Sequence, residues 1–387
     1  MYNQIINIKN NKMKKYFPLL AVAATAALGL TSCNDDTPSW VLPVVSSDGV
    51  FVVNSGSQSG ALDGTLTYYD YETGEATTGV YQAANDGASL GMTANHAVVY
   101  GSKVYVVGSG EQTVFVADRK TLKKVANVKV EVGGVAAQPR QAVAGYGYVF
   151  VSTYSNAVVA IDTASYSIVK TYKSGDYSEG LALDNYTPTL YVANSNYGRG
   201  VQEKNFPSIS AININTGDTI MFTDSKLQNP VDIKIVNNRL FVLDSGSYDE
   251  NWNQIGAGVY DITDTQVKFC ADATEMGVGG TKLFLVNAPY RQTPVEPTYT
   301  VFDTKTNMTS TFCDGEDIQY PGKISTDPVK GYVYITSYTV GSSGYANYKE
   351  PGYCVIYNGN GVKQGQFNCG VGAGYAVPNY SIDYVQM

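Results

Sequence analysis

Few side chains in this sequence could do chemistry together. The chain of 387 residues contains one histidine, His96. An imidazole-based zinc or copper site needs partner ligands that the sequence does not offer, so no metal site is expected. A Ser-His-Asp arrangement would have to use His96 as its base, and no nucleophile elbow accompanies it. His96 lies near the start of an expected strand and has two readings: a structural histidine with its hydrogen bonds met, or a ligand contact near the centre of the fold. The run from Asp244 to Asn251 carries oxygen ligands but lacks the spacing of a calcium loop, and reads as a turn capped by its own Asp side chains. Glu179, Asp232, Glu275 and Asp383 recur near the starts of comparable segments, yet no carboxylate and amide cage can be assembled from them. The expectation is therefore no catalytic residue and no catalytic cofactor.

The elements that would position any site follow from a repeat. The phrase Val50-Phe51-Val52-Val53 returns as Val104 to Gly108, Val149 to Ser152, Leu190 to Asn194, Leu240 to Asp244, Leu283 to Asn287 and Val333 to Thr336. Its aromatic position falls at Phe51, Tyr105, Phe150, Tyr191, Phe241, Phe284 and Tyr334, at intervals of 41 to 54 residues. A period of that size built from short β-rich segments marks a propeller. A second phrase follows each first one: two apolar residues and an acid or amide, ending at Asp70, Asp118, Asp162, Asn213, Asp261 and Asp303, with Val355-Ile356-Tyr357 as the weakest copy. Gly74, Gly217 and Asn307 stand four residues later, where a hairpin needs positive φ. Each unit thus predicts strand b, strand c, a tight turn and strand d, with strand a of the next unit after a loop. The fold class is all-β, a seven-bladed β-propeller of four-stranded blades. No strand a precedes Phe51, and the tail Pro378 to Val385 resembles the strands that follow Pro139, Pro230 and Pro321. The C-terminal strand is therefore expected to join the first blade and close the ring.

Residues 1–32 read as an export signal, with Lys14 and Lys15 before an apolar run from Phe17 to Leu30. The ending Leu30-Thr31-Ser32-Cys33 resembles a lipobox, which implies lipidation of Cys33; the alternative is an ordinary signal that ends near a cysteine. Residues 33–40 then form an acylated linker, and 41–387 the propeller. Asn34-Asp35-Asp36 resembles an acidic tag that sends outer-membrane lipoproteins to the cell exterior, or else is simply a solvated linker. Removing residues 1–32 takes away four lysines and no acid, leaving 22 Lys plus Arg against 34 Asp plus Glu. Such a surface repels phosphates and excludes nucleic acid as a partner.

Among the other cysteines, Cys354 and Cys369 flank the Asn358 to Gly361 turn and are expected either to form a disulfide or to lie buried as free thiols. Cys270 and Cys313 hold equivalent positions in neighbouring units and are not paired.

In a propeller the b to c and d to a loops emerge on one face. The distance from the strand b aromatic to the strand c Asp is short in blades 2 and 3 and longer in the other five. The long loops are aromatic and polar: Tyr197, Arg199 and Phe206 in blade 4, Tyr248 and Trp252 in blade 5, Tyr290 and Arg291 in blade 6, Tyr338, Tyr345 and Tyr348 in blade 7. The d to a loops add Gln138, Arg140, Tyr177, Glu179, Asn229, Met276, Gln319 and Tyr320. Rigid rings with amides and few charges suit a large ligand rich in amide or hydroxyl groups; the alternative is that the rings pack loop against loop.

The Leu190-Tyr-Val-Ala-Asn194 phrase, the Ile-Asp and Ile-Asn pairs with their Thr-Gly turn, and the Pro-containing return resemble the YncE-like seven-bladed propellers across residues 41–387. With the lipobox and acidic tag, the chain more narrowly resembles the surface propeller lipoproteins of gut anaerobes that include the BtuG-type cobalamin-binding proteins. That resemblance implies no enzymatic step: a lipoprotein on the exterior face of the outer membrane captures cobalamin or a related corrinoid and passes it to a TonB-dependent transporter. A surface glycan-binding propeller is the alternative, and a propeller enzyme, a lactonase or quinone-dependent dehydrogenase, stands behind both. An adhesion or scaffold role has no feature that marks it.

Overall fold

A computed structural model describes residues 41–195, 207–264 and 266–386, with side chains described for 45–195, 207–264 and 266–381. Residues 45–383 form one compact unit; the strand ends 41–44 and 384–386 belong to a second, small one. The expected signal, Cys33 and the linker lie outside the described residues.

The chain forms seven four-stranded antiparallel sheets arranged as a β-propeller. Blade 1 takes strand a from Ala373–Gln386 and strands b, c and d from Val41–Asn54, Thr65–Asp70 and Ala76–Thr78. Blades 2 to 7 follow in chain order, and their inner strands a are Ala94–Tyr100, Pro139–Gly145, Ser178–Leu183, Pro230–Val236, Glu275–Gly279 and Tyr320–Thr326. Their b strands are Lys103–Gly108, Tyr148–Thr153, Thr189–Asn194, Arg239–Asp244, Lys282–Asn287 and Tyr332–Tyr338. The closing strand begins at Ala373, five residues before the expected Pro378, and strand b of blade 1 extends back to Val41.

Why strand b is apolar at successive positions, and not alternating, is visible in its packing. Side chains of a strand point to opposite faces, and here each face is covered by another blade. In blade 2, Val104 and Val106 pack with Phe51 and Val53 of blade 1. Tyr105 and Val107 point the other way, against Val149 and Val151 of blade 3. The same division continues through Phe150 and Leu190, Ala193 and Val242, Leu243 and Leu285, and Phe284 and Val333. The ring is completed by Val50, Val52, Tyr334, Ala373 and Ala376, which join blades 7 and 1. Each core is thus shared between neighbours, and the molecule grows by repetition.

The repeated acid at the end of strand c is a turn device. Asp70, Asp118, Asp162, Asn213 and Asp303 each accept hydrogen bonds from the backbone N–H groups two and three residues on. In blade 7 the equivalent is Asn358, one residue past the weak copy read in the sequence, with the N–H of Asn360 donating to its Oδ1. The turn then needs a left-handed residue, supplied at low cost by Gly74, Gly217 and Asn307, with φ of 72°, 82° and 58°.

Cys354 and Cys369 are buried free thiols. Cys354 pairs with Phe367 across the hairpin, and a register shift between Pro351 and Tyr353 separates its frame from that of Val371. The near-symmetry about the turn therefore does not place the two cysteines opposite one another.

Candidate ligand-binding face

The b to c loops are short in blades 2 and 3, spanning 109–112 and 154–156, and long in blades 5, 6 and 7, spanning 245–257, 288–297 and 339–350. The last three are ordered by hydrogen bonds that continue the sheet principle outward. The blade 5 loop forms a small hairpin, Ser247–Tyr248 with Gln254–Ile255, closed by Asp249, which accepts from the N–H groups of Asn251 and Asn253. Gln254, 7% exposed, joins this loop to its neighbour. Its Nε2 donates to Ser245 O at 2.9 Å and its Oε1 accepts from Tyr290 N at 3.1 Å, while its own N–H donates to Tyr290 O at 2.9 Å. Arg291 donates to Gln254 O, and Tyr345 OH donates to the carbonyls of Arg291 and Gln292, which links blade 7 to the same assembly.

This framework holds a row of rings. Trp252 lies 6.3 Å from Tyr248, Tyr248 lies 6.4 Å from Tyr290, and Tyr290 stacks on Tyr345 at 5.8 Å. Tyr348 meets Tyr338 edge to face at 5.1 Å. The rings remain open to solvent, Trp252 by 68%, Tyr348 by 55% and Tyr248 by 52%. The rings thus touch each other and still present wide apolar surface. A cleft of about 150 Å³ runs beside them, between the blade 6 and blade 7 loops, walled by Pro294, Pro297, Tyr320 and Tyr345. A larger groove of about 410 Å³ lies elsewhere, between the turns of blades 5 and 6 around Arg239 and Phe269.

Nearer the centre, the inner strands present a polar ring. Strand a of blades 2, 3, 4, 5 and 7 shifts register near its start, between Ala94 and His96, Pro139 and Ala142, Ser178 and Leu181, Pro230 and Asp232, and Pro321 and Ile324. A bulge of this kind re-aims a side chain. Three ion pairs result: Arg140 with Glu179 at 3.1 Å, Lys234 with Asp232 at 2.8 Å, and Lys323 with Glu275 at 2.6 Å. Tyr375 of the closing strand sits among them, its ring 4.7 Å from His96 and 5.2 Å from Lys323 Nζ, with Gln141 Nε2 donating to its hydroxyl at 3.3 Å. His96 Nδ1 accepts from Ala142 N at 3.4 Å. Burial, together with the nearby ammoniums of Lys234 and Lys323, pushes His96 down to about 3. Burial alone would lower Lys323, but Glu275 beside it outweighs this and holds its ammonium charged. Burial pushes the phenol of Tyr338 up to about 12, so it stays neutral at the junction of the ring and the aromatic row.

Of the residues expected from sequence, Tyr248, Trp252, Tyr290, Arg291, Tyr320, Tyr338, Tyr345 and Tyr348 gather on the loops and strand ends of blades 5 to 7. Arg140, Tyr177 and Glu179 gather at blades 3 and 4, where Tyr154 stacks under Arg140 at 4.6 Å and lies 5.1 Å from Tyr177. Gln138 is exposed beside them, and its carbonyl accepts from Tyr154 N. The backbone N–H of Asn229 donates to Asp244 at 3.0 Å. Met276 is a correction: it lies within strand a, 3% exposed, in the core between blades 5 and 6, because the strand starts at Glu275 and not after it. Tyr197, Arg199 and Phe206 lie outside the described residues. Tyr154, Gln141, Lys323, Tyr375 and Gln254 were not anticipated. A signal for three of the axial residues was present: Gln141, Asp232 and Lys323 each stand two residues after a proline in the first two positions of their strands. Among the described residues no group of three or more His, Cys, Asp or Glu is placed to hold a metal ion.

The fold and this face define a β-propeller with an aromatic loop surface beside an ion-paired axis. Residues 48–144 match the family described as Domain of unknown function (DUF5074). No curated protein matches the chain. Among solved structures it is similar to Kuenenia stuttgartiensis Hydrazine Synthase, with a TM-score of 0.53 and 15% identity, over 76% of this chain and 95% of that one. At that identity the likeness carries the fold alone.

Proposed function

We propose that this propeller is a non-enzymatic binding protein that captures a large, mostly uncharged ligand on the loops of blades 5 to 7, with cobalamin or a related corrinoid as the foremost candidate. The observation that carries the reading is the ring series Trp252, Tyr248, Tyr290 and Tyr345, the first three exposed and the last half-buried, held in place by Gln254 and Arg291. Rings fixed in advance lose little entropy on binding and offer apolar area with polar edges, as a broad ligand with a rim of amides requires. The sequence resemblance to corrinoid-capturing lipoproteins, and the lipobox at Cys33, support a place on the outer membrane facing outward, with a TonB-dependent transporter as recipient of the cargo. A glycan is the second reading, favoured by the exposed face of Trp252, which suits a pyranose ring equally well.

Calorimetric titration of the full-length protein in detergent with cyanocobalamin, beside neutral oligosaccharides, tests the proposal. Saturable one-to-one binding of the corrinoid is expected. Trp252→Ala should weaken it by about 5- to 30-fold, since a central aromatic contact contributes on the order of 1–2 kcal/mol. Heat with an oligosaccharide alone selects the glycan reading, and no binding of either overturns both.

A further inference from the structure

The loop face leaves the axial ring without a task, and its hydrogen-bond account is not closed. The three carboxylates of Glu179, Asp232 and Glu275 are each matched by one cation, so these pairs carry no net charge. Their remaining capacity is of both kinds. His96 uses Nδ1 as acceptor, so in the neutral imidazole the proton sits on Nε2, which has no hydrogen-bond partner among the described residues. The Tyr375 hydroxyl accepts from Gln141, leaving its own proton to give. Asp232 receives Lys234 and the N–H of Ile233 through Oδ1, and Glu275 receives Lys323 through Oε1, leaving Oδ2 and Oε2 as acceptors. The site is reachable, since the Lys323 side chain is 35% exposed and that of Glu275 20%.

We infer that the inner strands form a second binding site, which seats a small neutral group carrying a hydrogen-bond acceptor and donor side by side, a primary amide being the prototype. Its carbonyl takes the donors of His96 and Tyr375, and its NH2 gives to the free carboxylate oxygens. A bare anion would face three carboxylates and a bare cation one guanidinium and two ammoniums in a partly desolvated ring, where an uncompensated charge is costly. The neutral amide meets both sets without adding charge. The site is independent of what the loop face binds, although an amide-rimmed ligand held there could extend one arm into it.

The single histidine supplies the probe. Full-length protein labelled with 15N-histidine and purified without a histidine tag gives one imidazole Nε2 signal. Titration with propionamide should shift that signal saturably. Propionate and propylammonium at equal concentration should give less than a third of the shift, and Tyr375→Phe should weaken the propionamide response at least threefold. If Tyr375→Phe disturbs folding, Glu275→Gln, which keeps the side-chain shape, should do the same through the lost carboxylate. No saturable shift with propionamide, or a larger one with either ion, overturns the inference. The probe carries no ring to stack, so its failure leaves the loop-face proposal standing, and failure of the corrinoid titration leaves this site standing.

Discussion

Replacing Gln254 by Ala separates the loop framework from the blades beneath it. The side chain is buried and forms hydrogen bonds to both Ser245 and Tyr290 N. Its removal leaves Tyr290 N–H and Ser245 O without those partners in a confined place. A typical intramolecular hydrogen bond contributes about 1 kcal/mol net, and a buried group left unpaired costs about 1–3 kcal/mol. Three bonds lost, two of them to the same serine, thus place the local cost at roughly 2–4 kcal/mol, less wherever water enters. The blade cores take no part, because Gln254 belongs to none of the hydrophobic clusters between blades 5 and 6. Hydrogen exchange should therefore show the amide of Tyr290 exchanging about 30- to 1000-fold faster, since each 1.4 kcal/mol is a factor of ten. Exchange in strand b of blade 5, Arg239–Asp244, should stay unchanged. Unaltered protection at Tyr290, or general loss of protection across blade 5, would refute the claim that this residue fastens the loops and nothing more.

Two further outcomes follow from the core and the axis. Phe241 is fully buried between blades 5 and 6, so Phe241→Ala should destabilise the fold by about 3–5 kcal/mol in denaturant unfolding, with the cost divided between the neighbouring cores. His96 is held neutral down to about 3, well below an unfolded histidine, so the unfolded chain takes up the proton first. Stability should therefore fall as pH drops below about 6.5, by up to 1.4 kcal/mol per pH unit, and His96→Asn should remove that part of the slope.

The architecture was legible because its cause is local and repeated. A strand covered on both faces must be apolar at successive positions, and the chain states this seven times, from Phe51 to Tyr334. The turn acids were legible as landmarks but not as to purpose, which the backbone hydrogen bonds of Asp70 and its counterparts explain. Loop length pointed to the long loops of blades 5 to 7, while Met276 misled because the inner strand begins at Glu275, so both Glu275 and Met276 belong to it and not to the loop. The axial ring was mostly hidden. Its members come from different inner strands, and no phrase joins His96 to Tyr375 across the whole sequence. The bulges that turn them inward have no composition of their own beyond the prolines at 139, 230 and 321.

The closing strand connects these two scales. Ala373 and Ala376 pack in the core between blades 7 and 1, and Tyr375 lies between them in sequence. Side chains alternate along a strand, so Tyr375 lies on the side opposite Ala376 and on that of Val377, which packs against the core shared with blade 2, and its ring meets His96 and Lys323. Arg119 Nη1 donates to Asn379 Oδ1 at 2.8 Å, with both residues buried, and fixes the same strand to blade 2. Closing the ring and completing the axial site are therefore one event. A chain whose last strand is displaced loses the seam between its first and last blades together with the phenol at its axis.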